Sequence, residues 1–181
     1  ADVVLQDNTS DAAGNVTKQV TGGSKQVTVE RVYDAAGRLT STTFDPAALK
    51  RTTAFEYDAA GNITKKTFTG GSGTRTESTV YAYNVLGLVT RQTVENGDDD
   101  LVTTSTYDAR GLLTAATDPR ANAAGATAAD FTTTMRYDGA GRLVETKAPQ
   151  VTIEKNGSAA DGRPTVKYGY DTAGLRTHEV D

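Results

Sequence analysis

Carboxylates are the side chains whose number and spacing in this sequence suggest chemistry. Asp34, Asp58, Asp108, Asp138 and Asp171 each follow a tyrosine and stand three residues before a glycine. Recurring acids of this kind invite comparison with the paired carboxylates that act as general acid and base in hydrolysis. A second group, Asp98-Asp99-Asp100, follows Asn96-Gly97 and raises calcium. Hard cations need six or more oxygens at set spacings, which three adjacent aspartates in one loop do not supply. That run reads as a solvated turn. His178 is the single histidine and there is no cysteine. A zinc site or a Cys–His pair is therefore excluded, and a Ser–His–acid triad would rest on a residue close to the chain end. No catalytic residue, cofactor or metal site is assigned, and the chain reads as a non-enzyme.

The aspartates recur because a whole phrase recurs. It reads YDAAGRLT from Tyr33, YDAAGNIT from Tyr57, YNVLGLVT from Tyr83 and YDARGLLT from Tyr107. Looser copies are YDGAGRLV from Tyr137, YDTAGLRT from Tyr170 and SDAAGNVT from Ser10. Successive copies start 23, 24, 26, 24, 30 and 33 residues apart, a period that marks a repeat architecture. Each copy has the grammar of a β-hairpin tip. The aspartate suits the first position of a type I turn, where its side chain accepts from backbone N–H groups two residues on. Gly37, Gly61, Gly87, Gly111, Gly141 and Gly174 then stand where the three-residue hairpin loop requires a positive φ. Each aspartate thus already has a task in its own turn. Neighbouring tips are expected about 10 Å apart with water between them, two strand spacings on.

The turn sets the register. If Asp58 opposes Asn62, Tyr57 opposes Ile63 and both side chains leave one face. The same arithmetic pairs Tyr33 with Leu39, Tyr83 with Val89, Tyr107 with Leu113 and Tyr137 with Leu143. Asp34 then lies across from Arg38, and Asp138 across from Arg142, as exposed pairs that serve solubility. The last copy breaks the rule, with Leu175 and Arg176 exchanged, which puts its register in question. Between tips the chain alternates Thr and Val with polar residues, as in QVTVERVY and LVTTSTY, the pattern of strands. Gly22-Gly23-Ser24, Asp45-Pro46, Gly70-Gly71-Ser72-Gly73 and Asn96-Gly97 are the turns on the other side. No stretch of ten residues carries a helical period. The expected fold is all-β: a continuous antiparallel meander of about fourteen short strands, forming a curved single-layer sheet over residues 1–181.

Composition agrees. Only 36% of the 181 residues are hydrophobic, low for the two inner faces of a sandwich, the alternative architecture. A tyrosine–aliphatic row along one side suits a half-wet surface, the rings buried and the hydroxyls hydrated. Net charge is −4 with no basic stripe, so nucleic acid is not an expected partner. No segment is apolar enough to span a membrane, and residues 1–5 read as the middle of a strand, so both ends look cut from something longer. Two connections are enlarged, at 118–130 and 148–164. Val151–Glu154 followed by Asn156-Gly157 signals a small extra hairpin in the second. Elsewhere these insertions read as surface decoration. An open meander leaves unpaired backbone at both ends, so edge-to-edge self-association is expected unless another segment covers it.

The phrase Y-D-x-x-G-[RN]-[LIV]-T at this period closely resembles the YD repeats of the RHS (rearrangement hotspot) family, found in bacterial polymorphic toxins, insecticidal toxin complexes and animal teneurins. The resemblance covers Ser10 to Thr177. It implies a β-strip that spirals into a hollow shell around a C-terminal toxin domain. The family's closing core segment, with its D-P-x-G-L-type ending, has no match here. This chain then reads as a scaffold segment of such a wall in a larger secreted or cell-surface bacterial protein. Its partners would be neighbouring repeats and an enclosed toxin domain. The alternative is a carbohydrate-binding or adhesion module, with glycan on the tyrosine row or the insertions.

Overall fold

The computed structural model describes residues 6–23, 25–71, 75–95, 97, 99–155 and 157–180. The strand expected at residues 1–5, and the parts of turns expected at Ser24, Ser72, Gly73, Asn96, Asp98 and Asn156, lie outside the described residues. Seven antiparallel hairpins carry the repeated tips. They are β1 (Gln6–Ser10) with β2 (Val16–Thr21), β3 (Val27–Tyr33) with β4 (Leu39–Phe44), β5 (Arg51–Tyr57) with β6 (Ile63–Gly70), and β7 (Arg75–Tyr83) with β8 (Val89–Glu95). There follow β9 (Leu101–Tyr107) with β10 (Leu113–Thr117), β11 (Thr132–Tyr137) with β12 (Leu143–Lys147), and β15 (Thr165–Tyr170) with β16 (Arg176–Val180). These fourteen strands form one sheet in chain order.

The extra hairpin is β13 (Val151–Lys155) with β14 (Ser158–Gly162), a separate two-stranded sheet. It interrupts the order, so β12 pairs directly with β15. Two short 3-10 turns, Pro119–Asn122 and Ala128–Phe131, lie in the first insertion, and no α-helix occurs among the described residues. No helix among the described residues is long and apolar enough to cross a membrane.

The chain divides into two compact units, Ala1–Tyr81 with Val94–Asp98, and Ala82–Thr93 with Asp99–Asp181. Among the described residues neither holds a sandwich core. Among the described residues the buried ones are Val102, Ser78 and Glu145, and only the first is apolar. Side chains alternate across the sheet. In β5 and β6 one face carries Tyr57, Phe55, Ile63 and Phe68, and the other Glu56, Ala54, Lys65 and Thr67.

Candidate functional site

The tip is built on its aspartate. In the second full copy the Asp58 N–H donates to the Asn62 carbonyl (3.0 Å), and the Gly61 N–H donates back to the Asp58 carbonyl (3.1 Å). Asp58 Oδ1 accepts from the Ala60 and Asn62 N–H groups at 2.9 and 2.8 Å, and Oδ2 from Asn62 Nδ2 at 2.9 Å. Asp34 and Asp138 repeat this, with the Nε of Arg38 and Arg142 on Oδ2 at 2.7 Å. Asp108 uses Arg110, and Asp171 accepts from the Leu175 N–H at 2.8 Å. The third tip keeps the geometry with Asn84, whose Oδ1 accepts from Leu86 and Leu88 at 3.0 Å. Gly37, Gly61, Gly87, Gly111, Gly141 and Gly174 all have φ between 74° and 89°.

These bonds favour the ionised form of Asp34, Asp58, Asp108 and Asp138. Backbone and side-chain donation from Arg38 keeps the Asp34 carboxyl below its ordinary value, and Arg142 does the same for Asp138. Asn62 lowers Asp58, and the Leu112 N–H lowers Asp108. A general acid needs the opposite, a carboxyl raised until it keeps its proton near neutrality. The chemistry of the tips is that of a turn.

The tyrosines depart from expectation. Their rings are half-buried, but the hydroxyls are engaged by protein. Five of them donate to the backbone carbonyl of the aliphatic residue one hairpin back: Tyr33 to Val16 (3.2 Å), Tyr57 to Leu39 (2.7 Å), Tyr107 to Val89 (2.9 Å), Tyr137 to Leu113 (3.0 Å) and Tyr170 to Leu143 (2.8 Å). Leu39 is itself the cross-strand partner of Tyr33, as Leu113 is of Tyr107 and Leu143 of Tyr137. One side chain therefore pairs within its hairpin and ties that hairpin to the one before. Water is not needed at the hydroxyl because a strand carbonyl lies within its reach.

The closing threonine has a role that sequence reasoning missed. Tyr33 pairs with Leu39 but Val32 pairs with Ser41, which leaves Thr40 unmatched in a bulge. Its hydroxyl donates to the Val32 carbonyl at 3.1 Å; Thr17 and Thr90 do the same to Thr9 and Ala82, each at 3.2 Å. The bulge removes a ladder partner and the hydroxyl replaces it. The signal was present, since an exposed strand residue with no such task would not return as Thr.

Successive tips are also linked, where water was expected between them. Arg38 donates from one terminal nitrogen to the Asp58 carbonyl (3.1 Å), with its guanidinium 4.8 Å from the Tyr57 ring centre. Arg142 repeats both contacts on Asp171 and Tyr170, and Arg110 reaches the Asp138 carbonyl at 2.9 Å. The Asp–Arg pairs are thus parts of a bridge, beyond the solubility role expected of them. Leu88 occupies the place of Arg38 in its copy and leans over Gly111. The last hairpin keeps its register despite the exchange, with Tyr170 opposite Arg176 and the Asp171 N–H on the Leu175 carbonyl. The backbone turn does not consult the two side chains that follow it.

The insertions are more than decoration. Asn122 Nδ2 donates to the Val102 carbonyl (3.0 Å), holding the first 3-10 turn on β9. The Gln150 N–H donates to the Asp130 carbonyl (2.8 Å), and Arg163 donates to the carbonyls of Ala148 and Thr132, so the two insertions hold one another. His178 lies over Gly169, with Thr177 Oγ1 3.1 Å from its Nδ1. Among the described residues no three His, Cys, Asp or Glu side chains converge as a metal site would require.

No curated protein matches the sequence. The fold is similar to that of TcdB2-TccC3-Cdc42, at 18% identity and a TM-score of 0.65 over 96% of this chain and 9% of that one. It is also similar to the Tc holotoxin pore of Photorhabdus luminescens with a TccC3 mutation, at 16% identity and a TM-score of 0.52, over 98% of this chain and 11% of that one. The chain spans about a tenth of the length of these structures, and at such identity the likeness is one of fold. The teneurin YD-shell family matches residues 12–181, nearly all of the repeat array. This chain therefore belongs to the teneurin YD-shell family.

Proposed function

We propose that residues 1–181 are one stretch of wall in a YD-repeat shell that encloses or presents a C-terminal toxin or effector domain, within a larger secreted bacterial protein. The observation that carries this is the tyrosine link, made five times from one hairpin to its predecessor. A residue spent on joining neighbours makes a wall that extends by repetition, each hairpin being the docking site for the next. Family membership supports the scaffold role, and the aspartates serve it as turn residues. Limited proteolysis of the parent protein tests the enclosure. The C-terminal domain is expected to resist cleavage in the intact protein and to become sensitive when Tyr57, Tyr107, Tyr137 and Tyr170 are all changed to Phe. A C-terminal domain digested equally fast in both would overturn the proposal.

Carbohydrate binding keeps one feature in its favour. An open recess of about 250 Å³ lies among Phe131, Asp118, Thr103, Thr133 and two prolines, Pro119 and Pro149. It offers an aromatic ring and hydroxyls, which the tyrosine row, with its hydroxyls engaged, does not. Titration with soluble sugars followed by the amide NMR shifts of Thr103, Phe131 and Thr133 tests it, unchanged shifts at all three excluding a glycan in this recess.

A further inference from the structure

On the face opposite the tyrosines, charges are arranged differently in the two units. In the first, cations and carboxylates pair singly: Lys18 with Glu30 at 4.0 Å and Lys65 with Glu95 at 3.1 Å. In the second, three cations surround one acid. Arg136, Glu145 and Lys167 are directly opposite one another on β11, β12 and β15, and Lys147 is two residues along from Glu145 on the same face. Glu145 is only 8% exposed, with Arg136 at 3.5 Å and Lys147 at 3.8 Å. Lys167 has no carboxylate within ion-pairing distance among the described residues.

Glu145, Lys147, Thr165, Lys167 and Val180 line an open basin of about 380 Å³. Its lining includes two lysines and a single buried carboxylate. The two lysines and one carboxylate that line it leave an excess of one positive charge, and Arg136 beside Glu145 adds a second just outside the lining. The Lys167 ammonium group, without a carboxylate partner, and that of Lys147, which is shared with Glu145, attract an anionic oxygen group in such a place and hold it with charge-assisted hydrogen bonds. Thr165 has its hydroxyl on the Arg163 carbonyl, so the lysines are the donors available.

We infer that this basin binds an anionic oxygen group, a phosphate or a carboxylate, between Lys147 and Lys167, against which the Glu145 carboxylate competes for the ammonium group of Lys147. The inference is independent of the shell reading, since it rests on the charges of one face.

The test is an amide-resolved NMR titration of the whole chain at pH 7 and constant ionic strength, with sodium phosphate in one arm and sodium acetate in the other. Saturable shifts are expected at Thr165, Lys167 and Val180, and not around Lys66 on the tyrosine face. Saturation by phosphate alone assigns the basin to dianions; saturation by both assigns it to carboxylates as well. Lys147→Gln with Lys167→Gln should weaken binding at least about tenfold, and Glu145→Gln, which removes the competing negative charge at unchanged volume, should tighten it about tenfold. Amide dispersion in the same spectra shows that each variant is folded. Shifts that do not saturate with either anion, or that persist unchanged in the double lysine variant, would overturn the assignment.

Discussion

Gly61 and Gly111 show how one backbone demand meets two surroundings. Their φ values are 89° and 82°. A Cβ at 61 would meet nothing within 4 Å, whereas at 111 it would come 3.3 Å from Leu88 Cδ1. Gly61→Ala should cost about 1–2 kcal/mol, the expense of a left-handed residue alone. Gly111→Ala should cost at least that and also displace Leu88, so it should melt lower than Gly61→Ala. Thermal melts of the two variants check this, and equal midpoints would mean that Leu88 yields freely. At the same scale, Asn84 in its native tip accepts the same two backbone bonds as the aspartates. Turn formation thus needs the side-chain oxygen and not the charge.

Between elements, the tyrosine hydroxyl is the recurring link. Tyr57→Phe keeps the ring against Ile63 and removes only the bond to the Leu39 carbonyl, an expected loss of about 1 kcal/mol. The loss belongs to the junction of β4 and β5 and not to the tip. Hydrogen exchange should therefore accelerate at Ser41 to Phe44 and Arg51 to Ala54, while the Asp58 and Gly61 amides keep their protection. Faster exchange at the tip alone would place the hydroxyl's role inside its own hairpin. The pairing of Tyr57 with Ile63 was legible from turn chemistry, because spacing within one hairpin is a local property. The acceptor 18 residues upstream was not, since nothing local says which carbonyl of the preceding hairpin lies under the ring. The small extra hairpin was likewise legible from the Asn156-Gly157 signal, whereas the direct pairing of β12 with β15 was not. The bonds that clip the second insertion to the first carry no sequence pattern.

For the molecule as a whole, the tip carboxylates act together with pH. Asp11, Asp34, Asp58, Asp108 and Asp138 are all held below the ordinary carboxylate value by their turns. The unfolded chain therefore takes up protons at a higher pH than the folded chain, and stability rises with pH through that interval. Their contribution is complete above about pH 5 and is lost as pH falls below about 4 through the folded values. The thermal midpoint should be level from pH 7 to 5 and fall towards pH 3, less steeply in Asp58→Asn, which keeps the turn as Asn84 does. A midpoint level down to pH 3 would contradict this. The ends of the sheet order are the other property of the whole. Every residue of β1 and of β16 is exposed, and Leu175, at the position where Leu88 leans on a neighbouring tip, is 68% exposed. Static light scattering of the isolated chain should show dimers or larger species that grow with concentration. A monomer at all concentrations would count against free edges.

The amino-acid sequence alone determined the hairpins, their number, their tips and the tyrosine–aliphatic register, because each follows from φ/ψ limits and side-chain alternation within about a dozen residues. Tertiary structure alone decided what joins one hairpin to the next: the carbonyl under each tyrosine, the tip each arginine reaches, the partners of the insertions and the crowding of three cations on Glu145. Those contacts link strands that are neighbours in space but distant along the chain. Their identity depends on bulges and side-chain reach that the spacing of a motif does not encode.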